Sequence, residues 1–432
     1  MGDFLNSAIS LTKATPVVFI SIFLICFIGY AIGAIKVKGL CLGAAGVFLF
    51  ALLFGYLCTM PGLQNIPVLQ NFYLGESQNA EVAKTISTKL SNFKFISNIG
   101  LVLFVTSVGL IAGPKFFRNL KVNAKSYVPM GAIIVVIAAA VTAGFAMIKG
   151  IGAAYATGIL SGALTSTPAF SASQGAVEAV DATKTGLVSL GHAVAYPFGV
   201  IGVVLFVQIM PRILKADIAH ERTLISVPAK QESLAKKERK LIELDEFGFA
   251  AFGLTVVLGV LLGSITVTKD GKSLFSLGMT GGPLLMGLVL AHFGRIGRIS
   301  LKVDEHTLKS FREFGLMLFL AGAGVDGGVE LVTQVANSEL GGMLVVYGFV
   351  AGALITLIPL LVGYLFGRFA CKLPLLNNLG SITGGMTSTP ALGTLIGVAG
   401  TDDVAAAYAA TYPLALVLMV LTSQLINTFI PV

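Results

Sequence analysis

The sequence predicts an all-α polytopic membrane protein: an inverted repeat of two units, each five transmembrane helices plus one re-entrant hairpin. Its composition, an internal repeat and the placement of lysine and arginine carry that prediction. Of 432 residues, 55% are hydrophobic and 12% charged, with a mean hydropathy of +0.89, well above an ordinary soluble domain. Apolar runs at 16–35, 40–58, 127–148, 187–210, 341–366 and 404–430 approach or exceed the roughly 18 to 20 residues that a helix needs to cross the hydrocarbon core. Transmembrane strands would instead alternate over segments of about ten residues.

The formal charge of +8 does not point to nucleic acid, because the basic residues gather in short loops between apolar runs, where they report orientation. The lipid bilayer is the expected partner. Cys26, Cys41 and Cys58 lie in or beside apolar runs, and Cys371 sits between Arg368 and Lys372; this spacing offers neither a metal site nor a disulfide framework. The first apolar run is preceded by Lys13 and lacks a clear small-residue cleavage signal, so it reads as a retained span.

The repeat is visible directly. "GLVLFVTSVGLIAG" from Gly100 aligns without gaps to "GLMLFLAGAGVDGG" from Gly315, "GALTSTPAF" from Gly162 to "GGMTSTPAL" from Gly384, and "AYPFGV" from Ala195 to "TYPLAL" from Thr411. Small-xxx-small pairs fall in matching order: Gly29 and Gly33 with Gly259 and Gly263, and Gly39 and Gly43 with Gly278 and Gly282. Gly109 and Gly113 match Gly324 and Gly328, and Gly158 and Gly162 match Gly380 and Gly384. Such glycines let helices approach closely in lipid. The domains expected are a first membrane repeat at 1–214, a polar cytoplasmic linker at 215–246 and a second repeat at 247–432.

Charge decides the relative orientation of the copies. With the N-terminus outside, spans at 16–35, 40–58 and about 97–113 place Lys36, Lys38, Lys115, Arg118, Lys121 and Lys125 inside, as the positive-inside rule requires. The span at 127–148 exits at Lys149, and the basic linker must again be inside. Residues 151–185 therefore begin and end on one side, as a re-entrant hairpin whose arms, Gly152–Leu164 and Pro168–Glu178, are each nearer half a bilayer than a whole one. Five crossings invert the second copy. Its spans at about 247–267, 274–292, 313–328 and 341–366 put Arg295, Arg298, Lys302, Lys309, Arg312, Arg368 and Lys372 inside, its hairpin at about 375–402 enters from there, and the last span at 404–430 returns outside. Both termini are then extracytoplasmic.

Inverted repeats with irregular backbone at mid-membrane place a binding site where the repeats meet. The two Thr-Ser-Thr-Pro strings fall at the hairpin tips. Non-helical backbone at that depth is tolerated where it is buried in protein or lines a wet cavity. Serine or threonine before proline caps a helix start, so Thr167 and Thr389 are expected as N-caps, with Pro168 and Pro390 opening the second arms. The N–H groups of Ala169, Phe170, Ala391 and Leu392, at the positive ends of two dipoles, then form a carboxylate site. Carbonyls ending the first arms at Thr165 and Thr387, with the Ser166 and Ser388 hydroxyls, offer a place for a cation.

Further candidates follow from the cost of polar groups inside a membrane. His192 and Tyr196 lie one turn apart and match Tyr408 and Tyr412, as cavity walls or interfacial anchors. Thr106 and Ser107 fall in the third span. Asp326 has Ile111 as its counterpart and either binds a cation or sits at the outer surface. Gln208 and Gln424 match near span ends and read as helix-packing residues. No lysine or arginine lies mid-span, which favours amino acids or dicarboxylates over phosphates. "DGKS" at Asp270–Ser273 is a turn and not a P-loop, and HExxH and GxSxG are absent. The protein is expected to be no enzyme, to need no cofactor and to couple to Na⁺ or H⁺, if to any ion.

The paired strings, with "GLVLFVTSVGLIAG" and "GLMLFLAGAGVDGG", resemble the aspartate:alanine exchanger family of duplicated-membrane-domain transporters. The resemblance implies secondary transport, typically exchange, of small carboxylates or amino acids such as aspartate, alanine or C4-dicarboxylates across a bacterial inner membrane. Where that family carries a large soluble insertion, this chain has only a short linker. The architecture is also similar to elevator transporters such as citrate symporters, which implies a homodimer with the hairpins on a mobile domain. A Na⁺/H⁺ or other cation antiporter is the nearest alternative; a channel, or a membrane enzyme using His192, ranks behind it.

Overall fold

A computed structural model describes residues 14–35, 44–66, 69–75, 77–122, 125–225, 241–269, 272–338 and 340–431. The chain is mostly helical. Its first half comprises α1 (Ala14–Gly33), α2 (Ala45–Cys58), α3 (Ala80–Val122), α4 (Tyr127–Ala146), α5 (Gly152–Ala163), α6 (Thr167–Asp181) and α7 (Thr185–Ile213), followed by the short α8 (Ile218–Thr223). The second comprises α9 (Phe249–Ser264), α10 (Gly278–Phe293), α11 (Glu305–Asn337), α12 (Met343–Phe369), α13 (Leu375–Gly385), α14 (Thr389–Ala399) and α15 (Ala405–Phe429). An antiparallel ribbon of β1 (Thr266–Lys269) and β2 (Lys272–Ser276) joins α9 to α10. A two-residue pair, β3 (Arg295–Ile296) and β4 (Ile299–Ser300), follows α10.

Among the described residues, six segments are long and apolar enough to cross a membrane: Pro16–Gly33, Ala80–Pro114, Tyr127–Ala146, one within Thr167–Ile213, Met343–Phe369 and Ala405–Phe429. The helices found in the other expected spans differ in length. α2, α9 and α10 have 14, 16 and 16 residues; α9 and α10 are shortened because the chain between them pairs as the β1–β2 ribbon where the spans at 247–267 and 274–292 would meet. In contrast, α3 and α11 reach 43 and 33 residues, roughly 64 and 50 Å at 1.5 Å per residue, far beyond the spans expected at 97–113 and 313–328. Hydropathy marks where lipid stops, whereas a helix stops at its caps. Here Asn79 Oδ1 accepts from the Glu81 and Val82 N–H groups, and Asp304 Oδ2 from the Thr307 N–H. Lys36 and Lys38 lie outside the described residues, as do linker residues 226–240 and the Asp270–Gly271 part of the "DGKS" turn.

Packing sorts the helices into bundles that mix the two halves. The largest apolar core joins α4, α5 and α7 to α12, α13, α14 and α15, through residues such as Ile134, Ile159, Val203, Ile355, Leu379, Leu395 and Met419. A second core joins α1, α2 and α3 to α11, and takes in Phe170 and Val177 of α6. A third packs α9 and α10 with α3. Contacts recur between halves. α3 crosses α11 where a Cβ on Gly100 would lie 2.6 Å from the Gly315 carbonyl, and one on Gly315 2.6 Å from the Gly100 carbonyl. Gly46 of α2 presses on Gly29 and Gly33 of α1 as Gly282 of α10 presses on Gly259 and Gly263 of α9. Gly39 and Gly43, matched to Gly278 and Gly282 in the sequence, lie outside the described residues; Gly46 makes the contact that Gly282 makes.

Two helical hairpins, α5–α6 and α13–α14, have arms of 12, 15, 11 and 11 residues; α5, α13 and α14 sit in the first bundle, while α6 packs between it and the second core through Ala169 on one side and Phe170 and Val177 on the other. The base of α5 meets the end of α15, where the Ala153 N–H donates to Pro431 O at 2.9 Å. The base of α14 leads through a short turn into the start of α15. The 25 residues of α15, roughly 37 Å long, thus separate the two hairpin bases.

Candidate substrate site at the hairpin tips

Both first arms end in the same hydrogen-bonded turn. The Ser166 N–H donates to Ser161 O and the Thr165 N–H to Gly162 O; the Ser388 N–H donates to Thr383 O and the Thr387 N–H to Gly384 O. This is the Schellman pattern, whose last residue takes left-handed backbone and is usually glycine. Here it is threonine, with φ of 52° at Thr165 and 51° at Thr387, a costly conformation for a β-branched residue. The two hydroxyls explain how the strain is held. Thr387 Oγ1 donates to Leu164 O at 2.6 Å, and Thr165 Oγ1 to Met386 O at 3.4 Å. Leu164 and Met386 are matched positions, so the tips grip one another reciprocally.

This turn corrects the expected cap register. Because Thr165 and Thr387 take the left-handed position, the extended residues are Ser166 and Ser388, with φ/ψ of −98°/95° and −93°/96°. Thr167 and Thr389 become the first helical residues. The predicted set of four free N–H groups contracts: the Phe170 and Leu392 N–H groups donate to Ser166 O and Ser388 O, and Ser166 Oγ accepts from the Ala169 N–H at 3.4 Å. Ser388 makes no such cap bond to α14; its Oγ is buried with no hydrogen-bond partner among the described residues. The tips differ in packing too: Pro168 is buried and Pro390 exposed, with Ala169 and Ala391 both buried.

The other candidates divide. His192 is buried; its Nδ1 lies 2.8 Å from Ser161 Oγ, and its ring stacks on Phe170 at 4.3 Å, with Phe48 at its edge. It supports the first tip from behind, with Tyr196 5.4 Å from it. Tyr408 and Tyr412 stack on each other at 5.0 Å. Ser107 Oγ donates to Leu103 O within its own helix, whereas Thr106 Oγ1 is buried without a partner among the described residues.

A cavity of about 790 Å³ opens beside the first hairpin, lined by Lys94 of α3, Gln174 and Glu178 of α6, Thr280 of α10, Asp326 of α11 and Gln424 of α15, among others. Of the candidate site residues, only Asp326 lines it; the tip residues do not. Lys94 and Glu178 form an ion pair, and the Ser171 and Thr280 hydroxyls are 2.6 Å apart in the wall. Gln424 does pack, since its Nε2 donates to Leu277 O, but its Oε1 is buried with no partner among the described residues. Ser171, Gln174 and Glu178, spaced along one face of the second arm, were the legible signal for this wall. Among the described residues, no group of three or more His, Cys, Asp and Glu side chains is placed to hold a metal.

The fold and site are those of a polytopic helical membrane protein with two helical hairpins meeting tip to tip. The description of the aspartate–alanine exchanger family, a "Predicted Permease Membrane Region", matches residues 73–212 and 251–428. The chain belongs to that family. The two matched stretches fall one in each half and omit the linker. It is 26% identical to an "uncharacterized transporter" of Bacteroides fragilis, over 95% of this chain and 98% of that one. It is also 26% identical to an "uncharacterized transporter" of Rhodopirellula baltica, over 92% and 97%. A third, from Desulfotalea psychrophila, is 34% identical over 39% of this chain and 30% of its own. The alignment to the Bacteroides protein spans 565 positions against 432 residues here, so that relative carries at least 133 residues with no counterpart in this chain.

Proposed function

We propose that the protein is a secondary transporter of small carboxylates or amino acids, such as aspartate, alanine or C4-dicarboxylates, with its substrate held between the two tips. The observation that carries this reading is the reciprocal contact of Thr165 and Thr387 with Met386 and Leu164. It gathers the ends of α5 and α13 and the starts of α6 and α14 at one point. Two positive dipole ends meet a carboxylate with no arginine or lysine among the tip residues 165–169 and 387–391, and two carbonyl ends meet an ammonium or a coupling cation, Na⁺ or H⁺. The unpartnered Ser388 hydroxyl is the donor left for the substrate.

The two repeats, 1–214 and 247–432 about the 215–246 linker, are inverted. Hairpin bases held a full α15 length apart, with tips that touch, support that reading, and the distribution of basic loops supports a cytoplasmic linker and extracytoplasmic termini in a bacterial inner membrane. The cavity lined by Asp326 is then the outer vestibule, where Asp326 attracts cations. The bundle carrying both hairpins moves against the bundle of α1–α3 and α9–α11 in an elevator motion, with the latter forming a homodimer scaffold. Gradients of substrate, counter-substrate or coupling ion drive the exchange, and binding shifts the carrier between outward- and inward-facing states by its differential affinity for them.

Counterflow in proteoliposomes, with radiolabelled aspartate, alanine and succinate, tests this. Saturable uptake driven by internal unlabelled acid is expected. No such flux under any imposed Na⁺ or H⁺ gradient would exclude an organic-acid transporter, and cation exchange alone would favour the antiporter.

A further inference from the structure

The linker does more than join the halves. α7 ends at Ile213 in a tight turn, with Lys215 at a φ of 50° and the Ala216 N–H donating to Pro211 O. Asp217 Oδ1 then caps α8 through the Ala219 and His220 N–H groups. Leu214, Ala216, Ile218 and Ile225 seat this segment against the largest core. Two consecutive residues of α8 reach the base of the second hairpin. Glu221 Oε2 accepts from the Leu375 N–H at 3.0 Å, at the start of α13. Arg222 Nε donates to Ala399 O, at the end of α14, and the guanidinium lies so close to Gly400 that a Cβ there would collide with it.

Each charge matches the pole it touches: an acid on a helix N-terminus, a base on a C-terminus. Both arms of one hairpin are thereby fastened at their bases by adjacent side chains. The first hairpin is held differently, with the N–H of Ala153 on Pro431 O at one base and the Lys94–Glu178 pair on its second arm. Along α14 the face bearing Pro390, Gly393 and Gly397 is exposed, and a Cβ on either glycine would meet nothing. Little else on that face restrains the arm.

We infer that Glu221 and Arg222 are positioning residues: a clasp through which the linker sets the opening of the second hairpin, and with it the placing of Ser388. The inference rests on the tips being the substrate site and extends that reading to its control.

Hydrogen exchange of the purified full chain in nanodiscs, followed by mass spectrometry without substrate, tests the clasp separately from transport. In Glu221→Ala and Arg222→Ala, exchange over 375–400 is expected to rise about tenfold, the scale for losing a charge-assisted hydrogen bond from a local opening equilibrium, while 152–181 is unchanged. Glu221→Gln, which keeps an acceptor for the Leu375 N–H, should restore wild-type protection. Unchanged exchange over 375–400, or an equal rise in both hairpins, overturns the clasp. If the alanine variants do not fold, Arg222→Lys, which keeps the charge but lacks the Nε–H, should give a smaller rise confined to 375–400; wild-type exchange there overturns the inference. Clasp-confined exchange with no organic-acid counterflow would sink the proposed substrate class and leave the clasp standing.

Discussion

At the scale of residues, two serines in identical strings have different duties. Ser166 caps α6, whereas Ser388 caps nothing and keeps a buried, unpartnered hydroxyl. Ser388→Ala is therefore expected to raise KM in counterflow about tenfold or more, the scale of one hydrogen bond to a charged substrate, with little loss of stability. Ser166→Ala should do the reverse, lowering the melting temperature through about 1 kcal/mol of lost capping with a smaller change in KM. Equal effects of the two on KM would mean that the tips are used alike. Thr387→Val leaves Leu164 O buried without its donor, at a cost of about 1–3 kcal/mol, and the double variant with Thr165→Val should be non-additive in thermal unfolding because both bonds tie one contact. The motif was legible in the sequence, but its register was not. Ser-Thr-Pro suits a cap at either residue, and the choice fell to which threonine takes left-handed backbone, a matter settled by a carbonyl more than two hundred residues away.

At the scale of elements, close helix crossings fix the bundles. Gly315→Leu would drive a side chain into the Gly100 carbonyl, and an overpacked crossing of this kind costs about 1–3 kcal/mol. It should lower the unfolding temperature in detergent. Gly393→Ala is the contrasting case: it sits in a helix with open space around it, so the better helix propensity of alanine should leave stability unchanged or raise it by up to about 1 kcal/mol. If both glycines respond alike, crossing contacts are not what distinguishes them. Short arms, small-xxx-small spacing and helix-breaking tips were all readable locally. The lengths of α3 and α11 were not, because helices continue past the lipid boundary until an Asx cap such as Asn79 or Asp304 begins them.

At the scale of the whole molecule, the inverted reading makes a sided prediction. With Cys26, Cys41, Cys58 and Cys371 replaced, a cysteine at Gln174 in the cavity should react with an impermeant thiol reagent added outside sealed cells. One at Leu224, beside the clasp, should react only after the membrane is opened. Labelling of both from the same side would contradict inversion. Composition alone determined that the chain lives in a bilayer. Self-similarity pointed to a duplicated unit, and charge parity to hairpins at 151–185 and about 375–402, where the structure has the helix pairs α5–α6 and α13–α14. These are local or additive signals, each readable from neighbours along the chain. Only the tertiary structure decided that the tips grip each other, that bundles mix the halves, that Gln424 keeps an unpartnered acceptor at a cavity wall, and that Glu221 and Arg222 hold the second hairpin. Each of those depends on contacts between residues far apart in the chain, whose pairing follows from how close-packed helices fill space and leaves no periodic trace in the sequence.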